Sequence, residues 1–262
     1  SPHPQAEIRA FLTSAISRDS PMMQCYILRN KKGIKHKMNP SYELFLEQDD
    51  RFLLSARKRF SCKTSNYVIS TDKSFGAGLV GKLKSNFVGT EFTIYNGGKG
   101  KGGTNSIAGS KSKAIEPRLE LGVVFYESNI LGARGPRRMT VVLPTPGPSP
   151  ASPGDSSMLD FQVGLVARYK VDPKDSGLLS LVNRPPKWND QLGAYVLNFN
   201  GRVTMASVKN FQLVTPSEPD VVLLQFGRVA KDVFTMDFRA PLSPVQAFAI
   251  ALSSFDYKIA CE

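Results

Sequence analysis

Short apolar and aromatic runs recur along the chain from residue 23 onward, and residues that favour turns separate them. Runs of this length, rich in Val, Ile, Phe, Tyr and Leu, are typical of β-strands. No helical pattern of about ten to fifteen residues lies between successive runs, so parallel strands joined by crossover helices are not expected. We therefore predict an all-β protein, built as a barrel or a sandwich. The predicted strands cover residues 23–28, 42–46, 52–56, 67–70, 79–83, 91–95, 119–126, 139–143, 178–182, 195–199, 202–206, 211–214, 221–226 and 233–238.

The end of the chain has a different pattern, which predicts a helix over residues 243–259. Ser243 can cap this helix, and Pro244 suits its first turn. Apolar residues then occur on nearly every side, and a helix that is apolar all round is buried. A helix of about 14 residues is roughly 21 Å long, which is comparable to the height of a β-barrel. We therefore predict a closed barrel with this helix in its lumen.

A membrane anchor is the alternative interpretation of the same segment. Its longest apolar stretch, Val245 to Leu252, is far shorter than the roughly 20 residues that cross a bilayer. Polar residues also interrupt the segment, at Gln246, Ser253, Ser254 and Asp256. The buried helix is the simpler interpretation.

We predict one domain, residues 21–262, after an N-terminal flank of residues 1–20 that contains one weakly helical run. Two segments interrupt the strands. Residues 96–113 are dominated by Gly, Ser and Lys and predict a mobile basic loop, because they have too little apolar surface to offset the entropy of ordering. Residues 144–157 form a Pro-rich insertion that is expected to be semi-extended and exposed. The chain begins at Ser1 without a methionine, so we expect a longer parent protein.

The chain carries a net charge of +12, from 34 Lys and Arg against 22 Asp and Glu. Residues 1–140 contain 23 basic and 11 acidic residues, whereas residues 141–262 contain 11 of each, so the first half carries the whole excess. A charge this one-sided predicts a basic surface that attracts nucleic acid, an anionic membrane face or a phosphorylated ligand. The three cysteines, Cys25, Cys62 and Cys261, are too few and too scattered for a disulfide framework, which favours a reducing compartment.

Catalytic and metal-binding motifs find little support in the sequence. The two histidines, His3 and His36, are too few for Ser-His-Asp or His-rich metal sites. Gly76 to Gly81 matches G-x-G-x-x-G, but the residues after it are typical of a strand and not of the helix that a dinucleotide site needs. The related phosphate-binding pattern has Leu83 where Ser or Thr is required. We therefore expect a protein that is not an enzyme and that has no cofactor or metal.

The most distinctive chemistry lies in residues 81–86, Gly-Lys-Leu-Lys-Ser-Asn, on a predicted strand. Alternate residues of a strand share a face, so Lys82 and Lys84 are expected to project together about 7 Å apart and to form an anion site. Leu83 points the other way into the core, which fixes the register. The alternative is that both lysines are ordinary solvent-facing strand residues. Other basic residues that can extend the positive area are Arg57, Lys58, Arg59, Lys63, Arg118, Arg134, Arg137 and Arg138.

Six segments of the chain match one protein family in the same order: KTSNYVIS (63–70), GKLKSNFVGTEFTIY (81–95), YESNILGARGPRRM (126–139), PKWNDQLGAYVLNFNGRVTMASVKNFQLV (186–214), LLQFGRVAKDVFTMDFRAPLS (223–243) and FAIALSSFDYKIACE (248–262). Through them, residues 21–262 resemble the tubby C-terminal domain of tubby-like proteins. The resemblance implies a closed barrel of about twelve strands around a central hydrophobic helix, in agreement with the pattern of apolar runs. The Pro-rich insertion and the segments GPRRM and PKWND are similar to plant-type members in particular.

The resemblance also implies phosphoinositide binding, chiefly of phosphatidylinositol 4,5-bisphosphate, at the cytoplasmic face of the plasma membrane. The lipid-contacting positions of the family correspond to Asn66, Lys82, Lys84 and Arg118 in this chain. At Lys84 the animal pattern has Arg, so a point charge replaces a bidentate fork, and affinity or headgroup selectivity is expected to differ. Hydrolysis of the lipid is expected to release the protein from the membrane.

Other functions stay open at the level of sequence. One is a transcription regulator that contacts nucleic acid through the basic half, in the nucleus as well as in the cytoplasm. Another is an adaptor that carries cargo to membranes of ciliated cells, through protein partners that bind an N-terminal region outside this chain. A lipid-scrambling enzyme of related fold is a more distant alternative. In each case we expect a monomer.

Overall fold

The computed structural model describes residues 4–31, 40–59, 64–76, 78–98, 118–127, 138–145, 163–191 and 193–256. The helices are α1 (Pro4–Thr13), α2 (Leu165–Val171) and α3 (Pro244–Ser254). The strands are β1 (Met23–Asn30), β2 (Ser41–Leu46), β3 (Arg51–Lys58), β4 (Asn66–Ser70), β5 (Leu79–Ser85), β6 (Glu91–Asn96), β7 (Glu120–Tyr126), β8 (Met139–Pro144), β9 (Leu178–Asn183), β10 (Lys187–Asn189), β11 (Ala194–Val196), β12 (Phe211–Val214), β13 (Leu224–Ala230) and β14 (Val233–Phe238).

Twelve of these strands form one closed barrel, in the order β1-β14-β13-β12-β9-β8-β7-β6-β5-β4-β3-β2. Every neighbouring pair in the barrel is antiparallel. The strands β10 and β11 form a separate two-stranded sheet. Closure leaves no free edge on the barrel sheet. The predicted all-β barrel is confirmed.

Strand β5 shows how the sequence pattern directs side chains to the two faces of the barrel. Leu83 is fully buried in the core, whereas Lys82 and Lys84 on either side of it are half-buried on the outer face. The buried face of β5 also includes Gly81. A Cβ atom at this glycine would lie 3.0 Å from Val245 Cγ1 of α3, so the missing side chain lets the helix pass close to the strand.

Helix α3 fills the lumen of the barrel, which confirms the predicted central helix. Ten of its eleven residues are buried, all except Gln246. Ser243 and Gln246 form a capping box at its start, each side chain bonded to the backbone of the other. The Gln246 Nε2 atom also donates to the Leu121 carbonyl oxygen at 2.7 Å, which ties the helix start to β7.

The other end of α3 is held by buried polar groups. Ser253 Oγ and the Tyr126 hydroxyl are 2.8 Å apart. Past the last turn, the Asp256 carboxylate is fully buried and accepts from Lys58 Nζ and from the Tyr67 hydroxyl, each at 3.3 Å. Burial is the main cause that raises the pKa of Tyr67, and Asp256 adds to it. The helix ends at Ser254, five residues before the predicted end at 259, and residues 257–262 lie outside the described part.

Two predicted strands do not belong to the barrel. Of residues 195–199, only the first two lie in a strand, β11 of the small separate sheet. Residues 202–206 form no strand and make an isolated bridge between Met205 and Arg228. This segment lies across the outside of β13, where a Cβ atom at Gly227 would meet Val203 Cγ2 at 2.3 Å. This segment therefore lies on the sheet without forming one of its strands.

Two helices add to the barrel from outside the predicted strands. Helix α2 was not expected and packs on β7 and β8. Helix α1 lies within the predicted N-terminal flank and contacts α3. Leu12 on α1 is fully buried in the main core cluster, and Arg9 Nη1 donates to the Leu79 carbonyl oxygen at 3.1 Å. Residues before 21 therefore contribute to the packed structure.

Most of the predicted basic loop, residues 96–113, and of the Pro-rich insertion, residues 144–157, lies outside the described part of the chain. Among the described helices, none has the length and apolar character needed to cross a bilayer.

Candidate functional site

The candidate anion site lies on the outer face of β4 and β5. Lys82 and Lys84 share that face because Leu83 between them is buried. In the antiparallel ladder Lys84 lies opposite Asn66, and Lys82 lies opposite Val68. The structure therefore brings Asn66 and both lysines together, as the sequence predicts.

A pair of serines fixes the position of Asn66 relative to Lys84. The backbone N–H of Ser65 donates to Ser85 Oγ at 2.9 Å, and the Ser85 N–H donates to the Ser65 carbonyl oxygen at 2.8 Å. Both serines are buried. These two bonds join the start of β4 to the end of β5, so the residues next to them have little freedom to separate.

Arg118 reaches the same face from the segment before β7. The Asn96 Oδ1 atom accepts from the Leu119 N–H at 2.9 Å, and the Asn96 N–H donates to the Leu119 carbonyl oxygen at 3.0 Å. These bonds place Arg118 beside the end of β6. Its Nε atom is buried and has no hydrogen-bond partner among the described residues.

Tyr95 connects Arg118 to the lysines, and the sequence reasoning did not single it out. It lies opposite Lys82 in the β5–β6 ladder. Its ring centroid is 5.6 Å from the Arg118 guanidinium carbon and 5.9 Å from Lys84 Nζ. Both distances fall within the range of cation–π attraction. Arg118 and Lys84 therefore meet at one aromatic ring. Lys82 lies opposite that tyrosine in the ladder, and Asn66 lies one strand further away, opposite Lys84.

The site carries positive charge that no acidic side chain pairs with directly in the described part of the chain. In the regions that the structure describes, no carboxylate forms an ion pair with Lys82, Lys84 or Arg118. Burial lowers the pKa of Lys82, and the nearby cations Arg118, Arg59 and Lys84 lower it further. A bound anion would relieve this repulsion, so the arrangement favours a ligand with more than one negative charge.

The Glu120 carboxylate contributes to the raised pKa of Tyr95 and also accepts a backbone hydrogen bond. Burial raises the pKa of Tyr95 and Glu120 adds to this, whereas the Thr93 hydrogen bond and Arg118 act in the opposite direction. The Glu120 Oε2 atom accepts from the Leu165 N–H at the start of α2, at 2.6 Å. This bond engages one of its oxygens away from the cationic residues.

The other predicted basic residues do not all lie on the outer face of the barrel. Arg59 extends the site, because its charge helps to lower the pKa of Lys82 and its backbone N–H donates to the Asn66 carbonyl oxygen at 2.8 Å. Arg57 lies over the Phe75 ring, 4.3 Å from its centroid. Lys58 does not extend the positive area, because it pairs with buried Asp256.

The remaining predicted basic residues are not placed at the site. Arg138 is exposed and lies 3.8 Å from Glu127. Lys63, Arg134 and Arg137 lie outside the described part of the chain.

The glycine motif that begins at Gly76 uses the amides of Gly76 and Gly78 within its own turn. The Asp72 carboxylate accepts from the N–H groups of Gly76 at 3.2 Å and of Gly78 at 2.9 Å. Strand β5 follows this turn, in agreement with the rejection of a dinucleotide or phosphate loop. The Ser74 and Ser70 hydroxyls also donate to Asp72, and these bonds lower the pKa of its carboxyl, with Ser74 the largest cause.

Comparison with known proteins identifies related sequences over most of the chain. A sequence model of the Tub family matches residues 12–257. Tubby-related protein 2 of Mus musculus is 48% identical over 268 aligned residues, which cover 97% of this chain and 45% of that protein. Tubby-related protein 1 of Homo sapiens is 47% identical, covering 92% of this chain and 44% of that protein.

Protein king tubby of Drosophila pseudoobscura pseudoobscura is 48% identical, over 92% of this chain and 52% of that protein. The chain therefore spans about half the length of the relatives that it matches. These relatives are animal proteins, and the resemblance to plant-type members stays a prediction.

Proposed function

The chain belongs to the Tub family, and we propose that its barrel is a phosphoinositide-binding module that tethers a parent protein to the plasma membrane. The preferred ligand in this proposal is phosphatidylinositol 4,5-bisphosphate. One observation carries the proposal: Asn66, Lys82, Lys84 and Arg118 converge on one outer face of a rigid barrel. Lys82 and Lys84 would bind the headgroup phosphates, with Arg118 and Asn66 completing the site.

The expected free energies of binding favour a defined headgroup pocket over general attraction to an anionic surface. Each Lys or Arg near an anionic membrane contributes about 1 kcal/mol, so Lys82, Lys84, Arg118 and Arg59 together contribute about 4 kcal/mol. That equals roughly a thousandfold enrichment, which is reversible and does not select one lipid. Selection requires directed, charge-assisted hydrogen bonds to phosphate oxygens. The half-buried guanidinium group of Arg118, beside Tyr95, can supply such bonds.

Release follows from the same chemistry. A phospholipase that cleaves the lipid leaves a soluble inositol phosphate, which can still occupy the cationic residues but no longer connects the protein to the bilayer. The charge contribution is also screened by salt. The module is therefore expected to leave the membrane when the lipid is hydrolysed.

The test of this proposal is a vesicle panel with mono-, bis- and trisphosphorylated phosphoinositides at equal surface charge. We expect the strongest binding to vesicles that contain phosphatidylinositol 4,5-bisphosphate. Binding that follows surface charge alone, whatever the headgroup, would contradict the proposal. A DNA titration over salt separates the nucleic-acid alternative, because release of counterions from DNA gives a steep salt dependence.

A further inference from the structure

Two neighbouring apolar side chains project into solvent at the turn between β5 and β6. Phe87 is 72% exposed and Val88 is 67% exposed. They follow Lys84 by three and four residues, so their Cα atoms lie within roughly 15 Å of it. Exposed apolar residues are common singly, but two in sequence beside a cationic site indicate an interaction surface.

Polar bonds hold the shape of the turn. The Asn86 Oδ1 atom accepts from the N–H groups of Gly89 at 2.8 Å and Thr90 at 3.0 Å. The Asn86 N–H donates to the Glu91 carbonyl oxygen at 2.8 Å. Gly89 has a φ of +83°, which glycine adopts without strain. The polar bonds therefore hold Phe87 and Val88 outward on a defined turn.

The turn lies at the end of β5 where Lys84 and Asn66 also lie, whereas Arg118 lies beside the other end of β6. Lys84 and Asn66 are the pair of the β4–β5 ladder nearest to this end, and the serine bonds join β4 to β5 there. The Tyr126 N–H donates to the Thr90 carbonyl oxygen at 2.8 Å, which attaches the turn to β7 as well. The cationic face and the apolar tip are thus parts of one rigid unit.

We propose that Phe87 and Val88 insert into the interfacial region of the bilayer whose lipid headgroup binds at Lys82 and Lys84. This inference rests on the proposed function and deepens it, because it gives the barrel a second, apolar contact with the same membrane. Interfacial apolar groups of proteins bury about 5–10 Å into the boundary of headgroups and acyl chains. A tip within roughly 15 Å of the phosphate site can reach that depth while the headgroup is bound.

The charges around the tip favour a bilayer as the occupant. The cations Lys82, Lys84, Arg118 and Arg59 act together on the neighbouring face, and such a combination of positive charge with exposed apolar residues suits an anionic lipid surface. A protein partner is the alternative occupant, and the experiment below distinguishes it.

The first test compares vesicles with a soluble headgroup. The variant Phe87→Ser with Val88→Ser is titrated with phosphatidylcholine vesicles that contain phosphatidylinositol 4,5-bisphosphate, and separately with inositol 1,4,5-trisphosphate. Loss of two apolar side chains that insert into the bilayer is expected to weaken vesicle binding by about ten-fold or more. Headgroup affinity is expected to stay unchanged within about two-fold. Unchanged vesicle binding would overturn the insertion, including the case in which the turn serves a protein partner.

The matched control is Val208→Ser. Val208 is 56% exposed and lies just before β12, in a segment bonded to Arg228 on β13. Strand β13 is six positions from β5 around the twelve-stranded barrel and so lies on the opposite side. This variant is expected to bind vesicles like the unmodified protein. An equal loss of vesicle binding in Val208→Ser would overturn the inference. If the unmodified protein binds neither the vesicles nor inositol 1,4,5-trisphosphate, the proposed function is overturned as well.

A spectroscopic measurement tests insertion without weakening it. The single tryptophan is replaced by Trp188→Phe, and Phe87→Trp then reports on the tip alone. Insertion predicts a blue shift of the emission on addition of the same vesicles, and quenching by lipids brominated along the acyl chain. Emission that stays solvent-like while the protein is bound to vesicles would overturn the inference.

Discussion

Lys84 on β5 lies directly opposite Asn66 on β4 in an antiparallel ladder, so two polar residues from separate motifs share one outer face of the barrel. The buried pair Ser65 and Ser85 holds these strand ends together. The arrangement of the site is therefore set by backbone pairing, and changes at its side chains are expected to alter binding more than folding.

A carboxylate at residue 66 is expected to oppose anion binding. The variant Asn66→Asp places a negative charge opposite Lys84, which repels a phosphate group and competes for the cation. We expect the affinity for inositol 1,4,5-trisphosphate to fall by about ten-fold, measured by calorimetry. The control is Asn189→Asp on β10, which has the same change of charge and is expected to bind normally. An affinity that does not change in Asn66→Asp would exclude this residue from the site.

Replacing Lys84 by Arg is expected to strengthen binding. A guanidinium group offers a planar fork to a phosphate and stacks well on an aromatic ring, here that of Tyr95, which lies 5.9 Å from Lys84 Nζ. We expect Lys84→Arg to raise headgroup affinity by about three-fold to ten-fold. Lys231→Arg on the exposed β13–β14 turn is the control. Weaker binding by Lys84→Arg would show that the site requires the compact ammonium group.

Binding is expected to weaken as the pH rises into the alkaline range. Burial and the cations Arg118, Arg59 and Lys84 lower the pKa of Lys82 in the free protein. Bound phosphates favour the charged ammonium and raise this pKa, so binding takes up protons once the pH passes the pKa of free Lys82. Headgroup affinity therefore falls as the pH rises through that value. In Lys82→Arg, which stays charged, the fall is expected to shift to higher pH, and an identical pH profile in both proteins would contradict this account.

The stability of the barrel is expected to depend on a buried carboxylate far from the site. Asp237 is 1% exposed and accepts two hydrogen bonds from Arg202, at 2.7 and 2.8 Å. Gln225 Nε2 donates a third at 2.7 Å. We expect Asp237→Asn to lower the free energy of unfolding by about 2 kcal/mol, because the largely buried Arg202 guanidinium group then keeps only the partly exposed Glu47 as an ionic partner.

Urea unfolding measures this loss, and Asp220→Asn is the control. Asp220 is 69% exposed and also contacts two basic side chains, Arg184 and Lys187. Because the Asp220 carboxylate is largely exposed to solvent, Asp220→Asn is expected to lower the free energy of unfolding by less than about 1 kcal/mol. Equal losses in the two variants would mean that burial adds nothing to the Asp237 interaction.

The barrel and its central helix could be predicted because one feature of the sequence determined each of them. Leu83 between two lysines requires a strand with one buried face. The segment after Ser243 is apolar on every side and requires burial all round. Helix α2 has seven residues and one buried residue, Leu165, so it lacks such a signal.

The site was predicted less completely, because contacts across strands decide it. The charge pattern placed Arg118 only among the residues that can extend the positive area, and the family resemblance gave it a lipid-contacting role. Its approach to the lysines depends on the bonds between Asn96 and Leu119. Tyr95 looks like any aromatic strand residue until its register with Lys82 is known. Lys58 lies between Arg57 and Arg59 in the sequence. Its side chain points into the barrel because it forms an ion pair with the buried Asp256, and only the structure shows this.

The most direct test of the central claim removes the two strand lysines together. Lys82→Ala with Lys84→Ala is compared with Lys209→Ala with Lys231→Ala, which removes the same charge from the opposite side of the barrel. Both are titrated with vesicles with and without phosphatidylinositol 4,5-bisphosphate. We predict that the first variant loses about a hundred-fold in affinity for the lipid-containing vesicles while the second binds normally. Equal affinities of the two variants, or no loss in the first, would contradict the account.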